Sequence, residues 1–338
     1  MNQSVQPNEA FDLANLRLRL RGGLKFDLRE YGGEPCYVVK NPVSSGYFQI
    51  GVTEYAFISL LDGTTSIQEA VQQTAYQLGE DAFSIRDGVG TCQWLIQHGF
   101  ADPVTDTTTP GQTSLDYLLE EVQTQENRRM MSQLNPLFFK LPLFNPQPLL
   151  RVLVPYLGWI SSRAFFVIWV IVVLAAVVGV FQQKDALVSA TRGLLTPDAW
   201  LWFIVTMVLM KFVHELAHGL FCNKFGGQVK EAGFVFIVCW PIPYVDVTSC
   251  WGFPSRWQRI AVSSAGMYVE LFIAAVATIG WSMTDDVVLK FHLFNVMLTG
   301  SLTTVLFNAN FLMRFDGYYI LSDILEIPNL AQQGQQYL

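Results

Sequence analysis

Residues 211–221 read KFVHELAHGLF, inside an apolar run from Trp200 to Cys222. That run is long enough to cross about 30 Å of hydrocarbon as a helix. Two of the chain's four histidines stand four apart here, with Glu215 after the first and Lys211 three residues before it. On a helix His214 and His218 lie one turn apart on one face, so both imidazoles can reach a single metal ion. Glu215 sits about 100° round the helix, where it can reach a water beside the ion rather than the ion itself. HExxH is the signature of zinc hydrolases, and in such a chain it should arise by chance only about 0.002 times. Ionisable groups within a span are expensive and are by default functional. One zinc ion per chain is therefore expected.

The composition agrees with a membrane protein. The 338 residues are 51% hydrophobic and 14% charged, with mean hydropathy +0.31, whereas soluble domains carry roughly 25% charged residues. Four spans are expected, at about 164–181, 200–222, 260–281 and 291–313, each near the ~20 residues a crossing needs. Five basic residues (Arg128, Arg129, Lys140, Arg151, Arg163) precede the first span, four (Lys224, Lys230, Arg256, Arg259) lie between the second and third, and Arg314 follows the fourth. The other side holds only Lys184, Arg192 and Lys290. That bias places the N-terminus of a multi-pass protein in the cytoplasm, and the localisation expected is the bacterial inner membrane. MNQSVQPNEAFDL has no basic region followed by an apolar core, so no cleaved signal is expected. The net charge of −7 excludes a dedicated nucleic-acid binder. Five cysteines without a CxxC pair read as small buried hydrophobes rather than a disulfide or thiolate framework.

The fold class expected is mainly α: a polytopic helical membrane protein with a small α+β, winged-helix-like N-terminal domain. Residues 1–28 read as a flexible N-terminus and 29–103 as the compact domain. There CYVVKNP and GYFQIGV look like strands, and three helices follow from TEYAFISLLDG, SIQEAVQQTAYQLG and DAFSIRDGVGTCQWLIQHGF. Thr53 and Ser66 can cap the first two helices, and Gly63 and Gly79 can end them. Lone His98 reads as structural. YFQIGVTEYAFISLLDGTTSIQEAV resembles the PqqD-like domains that bind leader peptides in peptide-modifying systems. Residues 104–163 read as a linker with a short acidic helix, then a basic, aromatic, proline-broken segment on the membrane surface. Residues 164–338 form the membrane-embedded domain.

Two histidines leave a catalytic zinc one protein ligand short. His292 should lie near the far membrane face, so the candidate is Asp316 in NANFLMRFDGYY, with Gly317 allowing a tight turn. A plain helix-ending Asp-Gly turn explains the same residues equally well. HELAH in a span, a later AGMYVEL span and Asn308 eight residues before Asp316-Gly317 resemble the site-2 protease family of intramembrane zinc metalloproteases, over roughly residues 200–330. The resemblance implies that Asp316 is the third ligand and that Asn308 lies near the site and hydrogen-bonds substrate or intermediate. The family usually has a proline three residues after that Asn, where this chain has Phe311, which leaves the helix break there unexplained. RFDGYYILSDILEIPNL is similar to a branch with an N-terminal PqqD-like domain, often found with membrane-fusion partners of secretion systems. Members usually run on well beyond this point, which implies that a C-terminal part is missing here.

Lys211 and Glu270 both lie about 15 Å deep, by 1.5 Å per residue. Either they pair, or Glu270 supports the metal site from behind a ligand. Residues 227–238 read as one or two strands, and Pro241 and Pro243 force an extended course. The resemblance implies that this element holds an extended substrate by edge pairing, against a purely structural surface loop as the alternative. Asp246 has no role legible in the sequence. The function expected is that of a zinc metalloendopeptidase, cleaving a peptide or membrane-protein substrate near the cytoplasmic face of the lipid bilayer. The alternative is a peptide-binding export component working with a membrane-fusion partner. A membrane-tethered transcription regulator is disfavoured by the acidic charge.

Overall fold

The structure, a computed structural model, describes residues 14–31, 33–40, 47–79, 84–104, 138–193, 197–237, 240–327, 330 and 334. The chain divides into two units, Met1–Phe139 and Lys140–Leu338. The basic segment 140–163 thus belongs with the membrane-type unit, and the expected acidic helix within 104–126 falls almost wholly outside the described residues.

In the first unit the strands are β1 (Arg17–Leu20), β2 (Phe26–Tyr31), β3 (Glu34–Lys40), β4 (Tyr47–Gly51), β5 (Asp62–Ser66) and β6 (Ala101–Pro103). The helices are α1 (Val52–Ser59), α2 (Ile67–Leu78) and α3 (Ile85–Gln97). The three helices and the strands at CYVVK and YFQIG stand where the sequence places them. Residues 17–20 and 26–28, expected to belong to a flexible N-terminus, lie in strands instead: β1 pairs with β5 and β6, and β2 with β3. Leu18, with no solvent exposure, anchors β1 in a core with Val39, Phe57, Ile67, Leu95 and Phe100. Arg21 forks onto Asp102 at 2.6–3.0 Å and holds that carboxyl below its ordinary range.

Ser66 caps α2 in a full capping box with Glu69, and Gly79 ends it at φ +65°. The other two expected boundaries differ. The first helix has Gly51, not Thr53, at its N-cap, and it ends at Ser59 because Gly63 (φ +92°) lies within β5. Gly88 is needed for packing: a Cβ there would come within 2.7 Å of Val71, so a larger residue would push α3 off α2. His98 is structural, its Nδ1 2.8 Å from the Trp94 carbonyl and its ring against Phe48 and Trp94.

The second unit contains β7 (Phe138–Phe144, crossing the division), α4 (Gln147–Leu157), α5 (Arg163–Gln182), α6 (Lys184–Gly193), α7 (Pro197–Lys224), β8 (Ala232–Ile237), β9 (Trp240–Val245), α8 (Arg256–Met283), α9 (Val287–Thr303) and α10 (Asp316–Leu325). Among the described residues three helices, Arg163–Gln182, Trp200–Lys224 and Arg256–Met283, are long and apolar enough to cross a membrane. Phe166, Ile171, Leu174 and Val178 of α5 are exposed, as suits a lipid-facing surface. Central α8 packs on α5, α7, α9 and α10. Its small buried residues Ala265, Gly266, Ala274, Ala275 and Ala277 allow close approach.

The expected fourth span is not one regular helix. α9 ends at Thr303, a π turn runs from Thr304 to Asn308, and an irregular stretch leads to α10 at Asp316. The Ala309 N–H donates to the Thr304 carbonyl at 2.8 Å, five residues back. The break that a proline would cause is thus made by the wider turn, and Phe311 is exposed. The loop after α7 is an antiparallel hairpin, β8 with β9, in the sheet order β7-β8-β9. Part of the segment expected to lie on the membrane surface is therefore a third strand.

Changing Ser66 to alanine removes one bond of the capping box and should cost the start of α2 about 1 kcal/mol. Amides at residues 67–70 should then exchange roughly fivefold faster in hydrogen-exchange mass spectrometry of the full chain, with α8 unchanged. Unaltered exchange would contradict the capping assignment.

Candidate metal centre

α7 carries His214 and His218 one turn apart, both buried, with their rings tilted 74° to each other. Their Nε2 atoms are 3.0 Å apart. Asp316 Oδ2 lies 3.0 Å from His214 Nε2 and 3.4 Å from His218 Nε2. Donors about 2.0–2.1 Å from a tetrahedral ion lie about 3.3–3.4 Å from one another. The triangle has close to those dimensions, and the three residues are a group able to hold a metal ion. Asp316 Oδ2 is buried with no hydrogen-bond partner, a costly state for a carboxylate oxygen that lacks a cation. Two imidazoles and one carboxylate, with the carboxylate atom orphaned, fit a divalent metal ion, zinc among them.

The far side of each ring is held. His218 Nδ1 donates to the Val262 carbonyl at 2.7 Å, and His214 Nδ1 lies 3.3 Å from Glu270 Oε1. Engaging Nδ1 in this way leaves both Nε2 lone pairs for a cation. Gly266 makes the space: a Cβ there would collide with the His214 imidazole. Residue type alone does not mark this glycine as part of the site.

Asp316 opens α10 instead of closing the preceding helix, so the helix-ending turn is not what these residues form. Gly317 also acts differently than expected. It does not adopt a left-handed turn; a Cβ there would come within 2.7 Å of the Ala309 backbone, so glycine lets α10 start against the end of the π turn. Arg259 Nε donates to Asp323 Oδ1 at 2.6 Å, both side chains buried, which ties α10 to α8. Arg259, one of the cations in the loop bias, is thus a buried structural ion-pair partner within α8.

Glu270 satisfies both readings offered for it. Lys211 Nζ lies 3.7 Å from Oε1, the same atom that faces His214. Oε2 accepts from Thr304 Oγ1 at 2.8 Å and from Asn308 Nδ2 at 3.1 Å. Lys211 Nζ also donates to Asn308 Oδ1 at 3.2 Å. The Asn308 carboxamide is thus engaged at both ends and buried among the supports of His214. Glu215 stays outside the triad, and its Oε2 accepts from the Val245 N–H of β9 at 3.1 Å. Asp246 accepts from the Thr248 backbone at 3.0 Å and from its hydroxyl, which shapes the turn after β9. His292 packs on Trp202, and Cys222 faces Ser249, both apart from the triad.

No family model and no solved structure matches the chain. An uncharacterized protein of Methanocaldococcus jannaschii is 30% identical over 94 residues, which are 27% of this chain and 26% of that one. The chain thus spans about a quarter of the length of that relative, whose name carries no activity.

The shared position of Glu270 yields a split outcome. Lys211→Met and Glu270→Gln should each destabilise the protein by about 3 kcal/mol, since each strands a partner in a buried pair. The double variant should recover much of the thermal stability, yet its affinity for added zinc or another divalent metal should stay about 10–100-fold weak because His214 has lost its carboxylate. Additive losses of stability would contradict the pairing; wild-type zinc affinity would contradict the support of His214.

Proposed function

We propose that this protein is a zinc-dependent intramembrane endopeptidase of the site-2 protease type. The observation that carries the reading is the His214–His218–Asp316 triangle, with the orphaned Asp316 oxygen, beside Glu215 on the same helix. His214, His218 and Asp316 would hold the ion, which when bound supplies Lewis-acid polarisation of a peptide carbonyl and of a water. Glu215 takes the proton of the attacking water and delivers it to the leaving amine. Its hydrogen bond to β9 fixes that carboxylate next to the strand where an extended substrate would lie. Edge pairing is needed because a helical scissile bond hides its carbonyl. Glu270, with Lys211, Asn308 and Thr304, orients His214.

In this reading α9 and the π turn form a fourth crossing, and the end of α7 and the start of α10, which carry the triad, lie on the cytoplasmic side of a bacterial inner membrane, following the Lys and Arg bias. The first unit is a PqqD-like module that captures a peptide. Supporting this, β4 is an edge strand of the sheet β2-β3-β4, and a cavity of about 690 Å3 beside it is lined by Gln49, Glu54, Arg86, Asp87, Thr91 and Trp94. A secretion partner of the membrane-fusion type would receive the product.

Purified protein should contain one zinc per chain, lost in His214→Ala and Asp316→Ala. Glu215→Gln should keep the zinc while cleavage of a proteome-derived peptide library falls by about 10²–10⁴-fold, the usual worth of a general acid–base. Zinc bound with no peptide cut by the unaltered chain would instead favour peptide capture and export.

A further inference from the structure

Strand β9 reads Trp-Pro-Ile-Pro-Tyr-Val over residues 240–245, and its register fixes where each backbone group points. It pairs antiparallel with β8, from Ile237 with Trp240 to Ala232 with Val245. The Asp246 N–H donates to the Glu231 carbonyl at 2.9 Å. Backbone groups alternate sides along a strand, so those of residues 240, 242, 244 and 246 face β8. Those of 241, 243 and 245 face outward. The Val245 N–H gives the same parity independently, because it leaves the sheet to reach Glu215.

At the other two outward positions stand prolines, which have no N–H. β9 is also the sheet's edge among the described strands. Its outer edge therefore presents the carbonyls of Pro241 and Pro243, about 6.5–7 Å apart, with no N–H donor at either position. An ordinary edge alternates donors and acceptors. This one only accepts, and it runs directly into Glu215.

We propose that the outer edge of β9 selects its peptide by backbone donors alone. Two N–H groups of an extended peptide, two residues apart, bond to the carbonyls of Pro241 and Pro243, and the peptide's own carbonyls on that side get no bond from those two positions. The inference rests on the peptidase reading and adds to it a specificity: proline and other N-alkylated residues are rejected at two alternate positions beside the cut and accepted at the position between. A second copy of β9 is excluded as the occupant, since two rows of acceptors cannot pair. The extended peptide is the occupant that the neighbouring Glu215 calls for.

The zinc-loaded full chain should be given a proteome-derived peptide library and the cleaved sequences read by mass spectrometry. Proline should be depleted at least about fivefold, the worth of one net hydrogen bond, at two positions of one parity and not between them. Equal proline frequency at both parities would overturn the proposal. An uncut library would contradict the peptidase reading and not the edge, so a second measurement needs no turnover. With Trp240→benzoylphenylalanine, light should cross-link a biotinylated Thr-Val octapeptide and capture its fully N-methylated twin at least about tenfold less. Adding P243A, which places one donor on the edge, should raise capture of the all-amide peptide about fivefold. Equal capture of the twins, or no response to P243A, would overturn the donor-only edge.

Discussion

Glu270 has no solvent exposure, and it lies on α8 among helices whose remaining surfaces are mostly apolar. A carboxylate in that setting forfeits hydration worth several kcal/mol unless other groups replace the water. Thr304 and Asn308 donate to one oxygen, and Lys211 and His214 stand against the other. These partners come from α7 and from the π turn. Surrounding one buried charge in this way fixes how α7, α8 and the end of α9 meet, and it does so around the His214 ring, for which Gly266 leaves the space.

The third donor reaches the histidines by a separate chain of constraints. The π turn supplies the break that lets the backbone leave α9, and Gly317 lets α10 begin against Ala309. The buried Arg259–Asp323 pair then holds α10 to α8. Asp316 is thus placed by one backbone approach and one ion pair, neither of which touches the histidines. Glu215, one residue from His214, is directed elsewhere by its bond to Val245, so that the same helix turn serves both the triad and the strand. This division of labour keeps the Glu215 carboxylate out of the donor set.

Much of this is legible in the sequence where the governing physics is local. The spacing of His214 and His218 determines a shared helix face, periodicity finds the three helices of the first unit, and Ser66 with Glu69 announces a helix start. Equal depth was enough to bring Lys211 to Glu270. Long-range pairing hid the rest. RLRL and FDLREY carry too much charge to read as strands, yet β1 is held by β5 and β6, distant in sequence, and by the burial of Leu18, while β2 is held by its neighbour β3. Arg259 looks like any loop cation until Asp323 stands beside it, 64 residues away. The π turn and the space at Gly266 have no signal in residue type, because each is defined by what packs against it.

X-ray absorption at the zinc edge of the loaded full chain tests the donor set most directly. The expected result is a first shell of nitrogen and oxygen alone at about 2.0–2.1 Å, with the outer scattering of two imidazoles, and loss of one oxygen scatterer in Asp316→Ala. Sulfur at about 2.3 Å, or a single imidazole, would contradict it.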